Sequence, residues 1–266
     1  MGQGLGRALV ETGKEVVLIG RKPRNVLPGL KLHVGPWPEV IGASDLVFLA
    51  TPDDVVADVA RRLAAENAVR SSHVVFHVSG TLDHAALEAL RPAGAALGSF
   101  HPLQSVTASP AASGELLGAY VGIEGDRRAV EVARSLGRAL QMIPVVLPPG
   151  SKPAYHAAAV MVSNYTVALV AIAERIVRQA GLEDSRGMFH RLLEGTVANL
   201  ATAAPGEALT GPVLRGDSRT VAAHLHALSG PDRELYRLLG LEALSLAEGR
   251  GMAPDQVRTL RAVLQE

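Results

Sequence analysis

The sequence contains no cysteine. That excludes disulfide staples, thiolate metal ligands and a cysteine nucleophile. Aromatic residues make up only 3% of the chain, so any core must be built from Ala, Val and Leu. Neither charge sign dominates: 26 basic residues stand against 26 acidic ones. Such a balance gives no electrostatic argument for a nucleic acid or an anionic membrane surface as partner. No basic stretch running into an apolar one is read at the N-terminus, so no secretory leader is expected. With 266 residues and a hydrophobic content of 48%, the expectation is a cytoplasmic protein of enzyme size with two modest domains.

What is present divides in the middle. Up to residue 149, strand-like and helix-like segments alternate, the pattern of an α/β domain with a parallel sheet. Beyond it almost everything reads as helix. Pro148-Pro149-Gly150 interrupts the pattern, which places the expected domains at 1–149 and 150–266.

Residues 2–12 read as a helix ending at Gly13, a suitable C-cap. Glu15 to Ile19 follows as a buried strand. A glycine-rich helix start, a glycine and a strand form the second half of a dinucleotide-binding βαβ unit. Gly2 takes the place of the last fingerprint glycine, which lets helix and strand pack closely. The first strand and the two glycines that admit the pyrophosphate are not in the sequence. The end of the Glu15–Ile19 strand carries Gly20-Arg21-Lys22 and then Arg24. An NAD enzyme usually has an acidic residue there. A guanidinium fork instead suits a 2′-phosphate, so NADP is the expected dinucleotide; the alternative is a solvated basic turn.

The remaining strands are read at Asp45–Ala50, His73–Val78, Ala95–Phe100, Ala119–Glu124 and Met142–Leu147. Ligands of open α/β sheets sit at the carboxyl ends of strands. Thr51 and Pro52, then Ser79 and Gly80, are therefore cofactor-edge candidates, and His101 is a candidate for chemistry. Thr51-Pro52 reads equally well as a plain helix start. His73 and His77 share a strand face, but no third ligand accompanies them and no metal is expected.

The helical part opens with Ser151 as a plausible N-cap and Pro153 in the first turn. Lys152 and His156, four residues apart, are the candidate proton donors. Ala157 to Ala173 is apolar nearly all round, the mark of a buried helix. The polar residues Ser163 to Thr166 inside it and Glu174-Arg175 after it favour a core or dimer helix over a membrane span. At about 100° per residue, Lys152, His156 and Ser163 share a stripe, with Asn164 on its flank; Ser163 and Asn164 are read as substrate or packing contacts. The loop from Ala208 to Asp217 gathers Thr210, Arg215 and Asp217, which can hold a carboxylate or phosphate. A connector with a surface Arg–Asp pair is the alternative.

Taken together, Thr51-Pro52-Asp53-Asp54, Ser79-Gly80, His101-Pro102-Leu103-Gln104, Tyr155-His156-Ala157-Ala158, Ser163-Asn164 and Leu209-Thr210-Gly211-Pro212 with Arg215-Gly216-Asp217 carry a resemblance. The chain resembles oxidoreductases made of a Rossmann-like domain followed by an all-α domain of uncharacterised function. These are related in architecture to pyrroline-5-carboxylate reductase, ketopantoate reductase and 3-hydroxyisobutyrate dehydrogenase. The resemblance implies NADP binding, a cleft between the domains and a homodimer formed through the helical part. In the hydroxyacid dehydrogenase relatives a catalytic lysine is followed four residues on by an asparagine; Lys152 and His156 have that spacing, with histidine in the second place. The implied function is NADPH-dependent reduction of a small carbonyl or imine acid, and the alternative is a dinucleotide-binding protein without turnover. Relatives begin about a strand and a turn earlier. The sheet is therefore expected to show an unsatisfied edge in its middle, and extension upstream is expected to restore cofactor binding.

Overall fold

A computed structural model of the chain describes residues 1–23, 25–105 and 116–266, so Arg24 lies outside the described residues. The protein divides into two compact units, Met1–Asn164 and Tyr165–Glu266.

The first unit opens with α1 (Gly2–Glu11) and β1 (Val17–Ile19), joined through Gly13 at φ 78°. Then come β2 (Lys31–His33), α2 (Pro38–Gly42), β3 (Leu46–Leu49), α3 (Asp53–Ala65) and β4 (Val74–His77). A 3₁₀ helix over His84–Ala93 follows. Pro92 sits inside it, and a proline removes the N–H that an α-helical turn needs. The unit continues with β5 (Ala96–Pro102), β6 (Tyr120–Gly125), α4 (Arg127–Ala139), β7 (Ile143–Val146) and α5 (Lys152–Val162).

The strands form two separate sheets. One holds β1 and β2 in parallel; the other has the order β3-β4-β5-β6-β7. The sheet is parallel from β3 to β5, then reverses, because β6 runs antiparallel to β5 with His101 opposite Gly122. The alternation of side chains along β4 feeds two cores. Val74 and Phe76 pack with Leu5 and Leu9 of α1 and Ala133 of α4. Val75 packs on the other side with Val56, Ala60 and Leu63 of α3. The sheet thus carries helices on both faces, the arrangement that buried parallel strands require.

The long apolar helix departs from expectation twice. It breaks at Ser163, where φ is −92° and ψ is −71°, into α5 and α6 (Asn164–Gln179). Ser and Asn compete with the helix for its own backbone groups, which makes this pair a natural place to part. Nor is the stretch buried: Lys152 is the only buried residue of α5, and α6 has none. Met161 and Val162 are 63% and 78% exposed. By length and composition Lys152–Gln179 is also long and apolar enough to cross a membrane.

The second unit continues through α7 (His190–Thr202), α8 (Pro205–Ala208), α9 (Ser218–Ala227), α10 (Gly230–Gly249) and α11 (Pro254–Gln265). Its core joins Val221 and Leu225 of α9, Leu244 of α10 and Leu260 and Leu264 of α11.

Candidate active site

The carboxyl ends of β4 and β5 meet the first turns of α5. β4 delivers the chain to Ser79 and Gly80, β5 carries Ser99 and His101 on one face, and α5 supplies Lys152, Tyr155 and His156. The centre of the group is Lys152, only 2% exposed. Its ammonium donates to the Ser79 carbonyl at 2.8 Å and to Ser99 Oγ at 2.7 Å. Burial pushes the amine down from 10.5 to about 8, and the charges of Glu124, Asp53 and Asp83 offset only part of that push.

Ser79 is fully engaged. Its hydroxyl donates to Asp53 Oδ2 at 2.7 Å and accepts the Thr81 and Leu82 amides. With its carbonyl held by Lys152, Ser79 fixes the turn that follows β4. Gly80 is different. A Cβ there would lie 2.3 Å from His156 Nδ1 and 2.8 Å from His101 Nε2. Both imidazoles therefore close onto bare backbone that only glycine leaves open.

The rings make an edge-to-face cluster. His101 stands 5.7 Å, centroid to centroid, from both Tyr155 and His156. His101 Nδ1 and the Tyr155 hydroxyl are 3.3 Å apart. Burial, and then the positive charge of Lys152, lower His101 to about 4, so it is neutral at ordinary pH. His77 is held likewise at about 4; its Nδ1 accepts the Ser79 amide, leaving Nε2 to donate to the Asp83 carbonyl. His73 Nδ1 accepts the Arg70 amide. These two histidines hold backbone, and among the described residues no group of potential metal ligands is assembled. His156 Nδ1 is buried and has no hydrogen-bond partner.

The cofactor-edge residues lie at the carboxyl ends of neighbouring strands. Arg21 and Lys22, both exposed, follow β1. Thr51 follows β3, but it does not cap α3: Pro52 occupies the N-cap position, and Thr51 Oγ1 is buried without a partner. The plain helix-start reading of Thr51 therefore fails. Gly2 sits against the end of the same strand, where a Cβ would come within 2.8 Å of Ala50 Cβ, in keeping with the close packing expected of it.

The other candidates lie on other elements. Asn164 is exposed and Ser163 is at the helix break. In the second unit, Asp217 caps α9: it accepts the Thr220 amide at 3.1 Å and the Thr220 hydroxyl at 2.6 Å. Arg215 and Thr210 are exposed on the same loop. Sequence reasoning gave no site role to Ser99, Tyr155, Asp53 or Glu124, although Tyr155 and Asp53 stand in the motifs that carry the resemblance. Two of these had a signal. Ser99 is two residues before His101, hence on the same strand face, and Tyr155 follows Lys152 by three on a helix.

Family comparisons agree with this architecture. Residues 20–102 match the Rossmann-like domain, and residues 119–243 match DUF2520, a domain of unknown function. None of the curated proteins matches the sequence. Several solved structures are similar. A protein from Thermotoga maritima is 24% identical, with 93% of this chain and 96% of that one covered and a TM-score of 0.74. An imine reductase from Myxococcus stipitatus in complex with NADP⁺ is 16% identical, covered over 100% and 96%, with a TM-score of 0.61. The Plasmodium falciparum pyrroline carboxylate reductase with NADP bound is 11% identical, covered over 100% and 93%, with a TM-score of 0.56. The chain thus joins a Rossmann-like domain to a DUF2520 domain whose match begins just before β6 and ends within α10.

Proposed function

We propose that the protein is an NADPH-dependent reductase of a small carbonyl or imine acid. The observation that carries the reading is the polar cluster of Lys152, His101, Tyr155 and His156 gathered at the strand ends where dinucleotides bind. The residues present suit the cofactor at one point, the orphaned Thr51 hydroxyl; the Gly80 backbone is already covered by His156 and His101. Arg21 and Lys22 would hold the 2′-phosphate, and Thr51 would line the path along the strand ends. When bound, the nicotinamide supplies the hydride.

Reduction of C=O or C=N also needs a proton. His101 is neutral and pressed low by burial, so it is a poor acid. Lys152 is charged below about pH 8, but its ammonium is enclosed and committed to Ser79 and Ser99. We assign it a positioning role: it ties α5 to the ends of β4 and β5. His156, on the next turn and partly exposed, is the proton donor in this reading. The exposed Met161, Val162 and Val167 support a homodimer formed through these helices, as expected from the resemblance, and sedimentation tests it.

NADPH oxidation in the presence of 2-keto acids and cyclic imines tests the reading, after binding is confirmed by nicotinamide fluorescence. His156→Gln should lower kcat by about a hundredfold or more, the usual worth of a general acid, and leave NADPH binding intact. Full turnover in His156→Gln overturns the assignment, and absence of NADPH binding overturns the function.

A further inference from the structure

Three buried polar residues form one row across the five-stranded sheet. His77 of β4 lies opposite Ser99 of β5, and Ser99 lies opposite Glu124 of β6. Residues paired across neighbouring strands point to the same face, so the row is continuous. All three are buried. Both ends are tied to the start of the 3₁₀ helix. His77 Nε2 donates to the Asp83 carbonyl at 2.9 Å, and His84 Nδ1 donates to Glu124 Oε2 at 2.7 Å. Lys152 reaches the middle of the row through its hydrogen bond to Ser99.

A buried carboxylate is costly unless it is paired and hydrogen-bonded. Glu124, 8% exposed, is only half provided for: its Oε1 is buried and has no hydrogen-bond partner. Lys152 is an equally costly buried cation. Three carboxylates attract it, Glu124 first and then Asp53 and Asp83. Asp53 and Asp83 are exposed, so water weakens their pull. Glu124 is the buried one of the three, where a charge acts more strongly. The other groups facing the pair compete little. His77 and His101 face the ammonium from β4 and β5, and burial keeps both neutral at ordinary pH. Tyr155 and His156 flank it on α5. Asp126, which faces His84, is already held by Arg91.

We infer that Glu124, seated by His84, is a positioning residue of the site: it is the counter-ion that keeps Lys152 an ammonium where α5 meets Ser79 and Ser99. An ammonium holds its acceptors more strongly than a neutral amine does. Glu124 therefore tightens the joint between α5 and the strand ends through Lys152. The inference does not rest on the reductase reading, because the charge of Lys152 can be read with no cofactor or substrate.

Carbon-13 NMR reads that charge directly. Lys152 is one of four lysines in the chain, and Lys152→Met assigns its Cε signal. In the native protein the signal should titrate at about pH 8. Glu124→Gln keeps the shape of the side chain and removes its charge, and should lower the midpoint by about one pH unit or more. Asp83→Asn removes an exposed charge and should move the midpoint much less. The inference is overturned if Glu124→Gln moves the midpoint no further down than Asp83→Asn does. Urea unfolding at pH 7 gives a second reading, which holds even where Glu124→Gln alone folds poorly. Lys152→Met leaves the buried carboxylate without its counter-ion, so adding Glu124→Gln to that variant should raise the urea midpoint. An unchanged or lower midpoint in the double variant equally overturns the inference.

Discussion

Lys152 donates a hydrogen bond to the carbonyl of Ser79 across 2.8 Å, joining the first turn of α5 to the end of β4 inside the first unit. The contact has a pH signature. Below about pH 8 the ammonium is charged in both states, and folding must strip its water. Between about 8 and 10.5 the folded protein has released the proton and the unfolded chain still holds it. Stability therefore rises with pH across that window, by at most about 3 kcal/mol. The neutral amine keeps enough N–H groups for both of its acceptors. Urea unfolding at pH 7.5, 9 and 10 should show the rise in the native protein, and Lys152→Met should flatten it.

Gly80→Ala tests the ring cluster directly. The added methyl would meet His156 and His101 at distances no atoms tolerate, and both rings are held by α5 and β5. Crowding of this kind costs about 1–3 kcal/mol, so the midpoint of thermal unfolding should fall by several degrees. Gly13→Ala is the control. It shares the burden of a positive φ, 78°, but meets nothing within 4 Å, and it should cost about 1 kcal/mol.

Much of this was legible in the sequence because it rests on local pattern. The short, mostly apolar runs leading to Thr51, Ser79 and His101 announced strands and placed their carboxyl ends. The open edge was legible from the order of helix, glycine and strand around Gly13. The exposure of Met161 and Val162 was not, because apolarity shows that a surface seeks cover without showing what covers it. Lys152 was legible as a candidate, but its enclosure was not, since Ser79 and Ser99 reach it from strands more than 50 residues away. The capping role of Asp217 was not read from the sequence, although an aspartate just before a helix is well placed to serve as a cap.

Arg21 is exposed at the end of β1 and forms no side-chain ion pair among the described residues. Under the reductase reading its guanidinium serves a 2′-phosphate, which NADPH has and NADH lacks. Arg21→Ser should therefore raise KM for NADPH roughly tenfold or more, in line with a lost charged hydrogen bond, and leave KM for NADH nearly unchanged. Equal losses for the two cofactors would remove Arg21 from the 2′-phosphate site.

Asp217 separates the two readings of the Thr210–Asp217 loop. As the cap of α9 its carboxylate satisfies the Thr220 amide and hydroxyl, and these bonds hold the carboxyl below its usual range. Replacement by alanine loses the cap, at a cost of about 1 kcal/mol. Asparagine still offers a carbonyl oxygen to the Thr220 amide, so Asp217→Asn should keep most of that stability. A substrate site requiring the negative charge would behave in the opposite order, with Asp217→Asn losing turnover as fully as Asp217→Ala. Urea midpoints and NADPH oxidation rates measured on the same two variants decide between them.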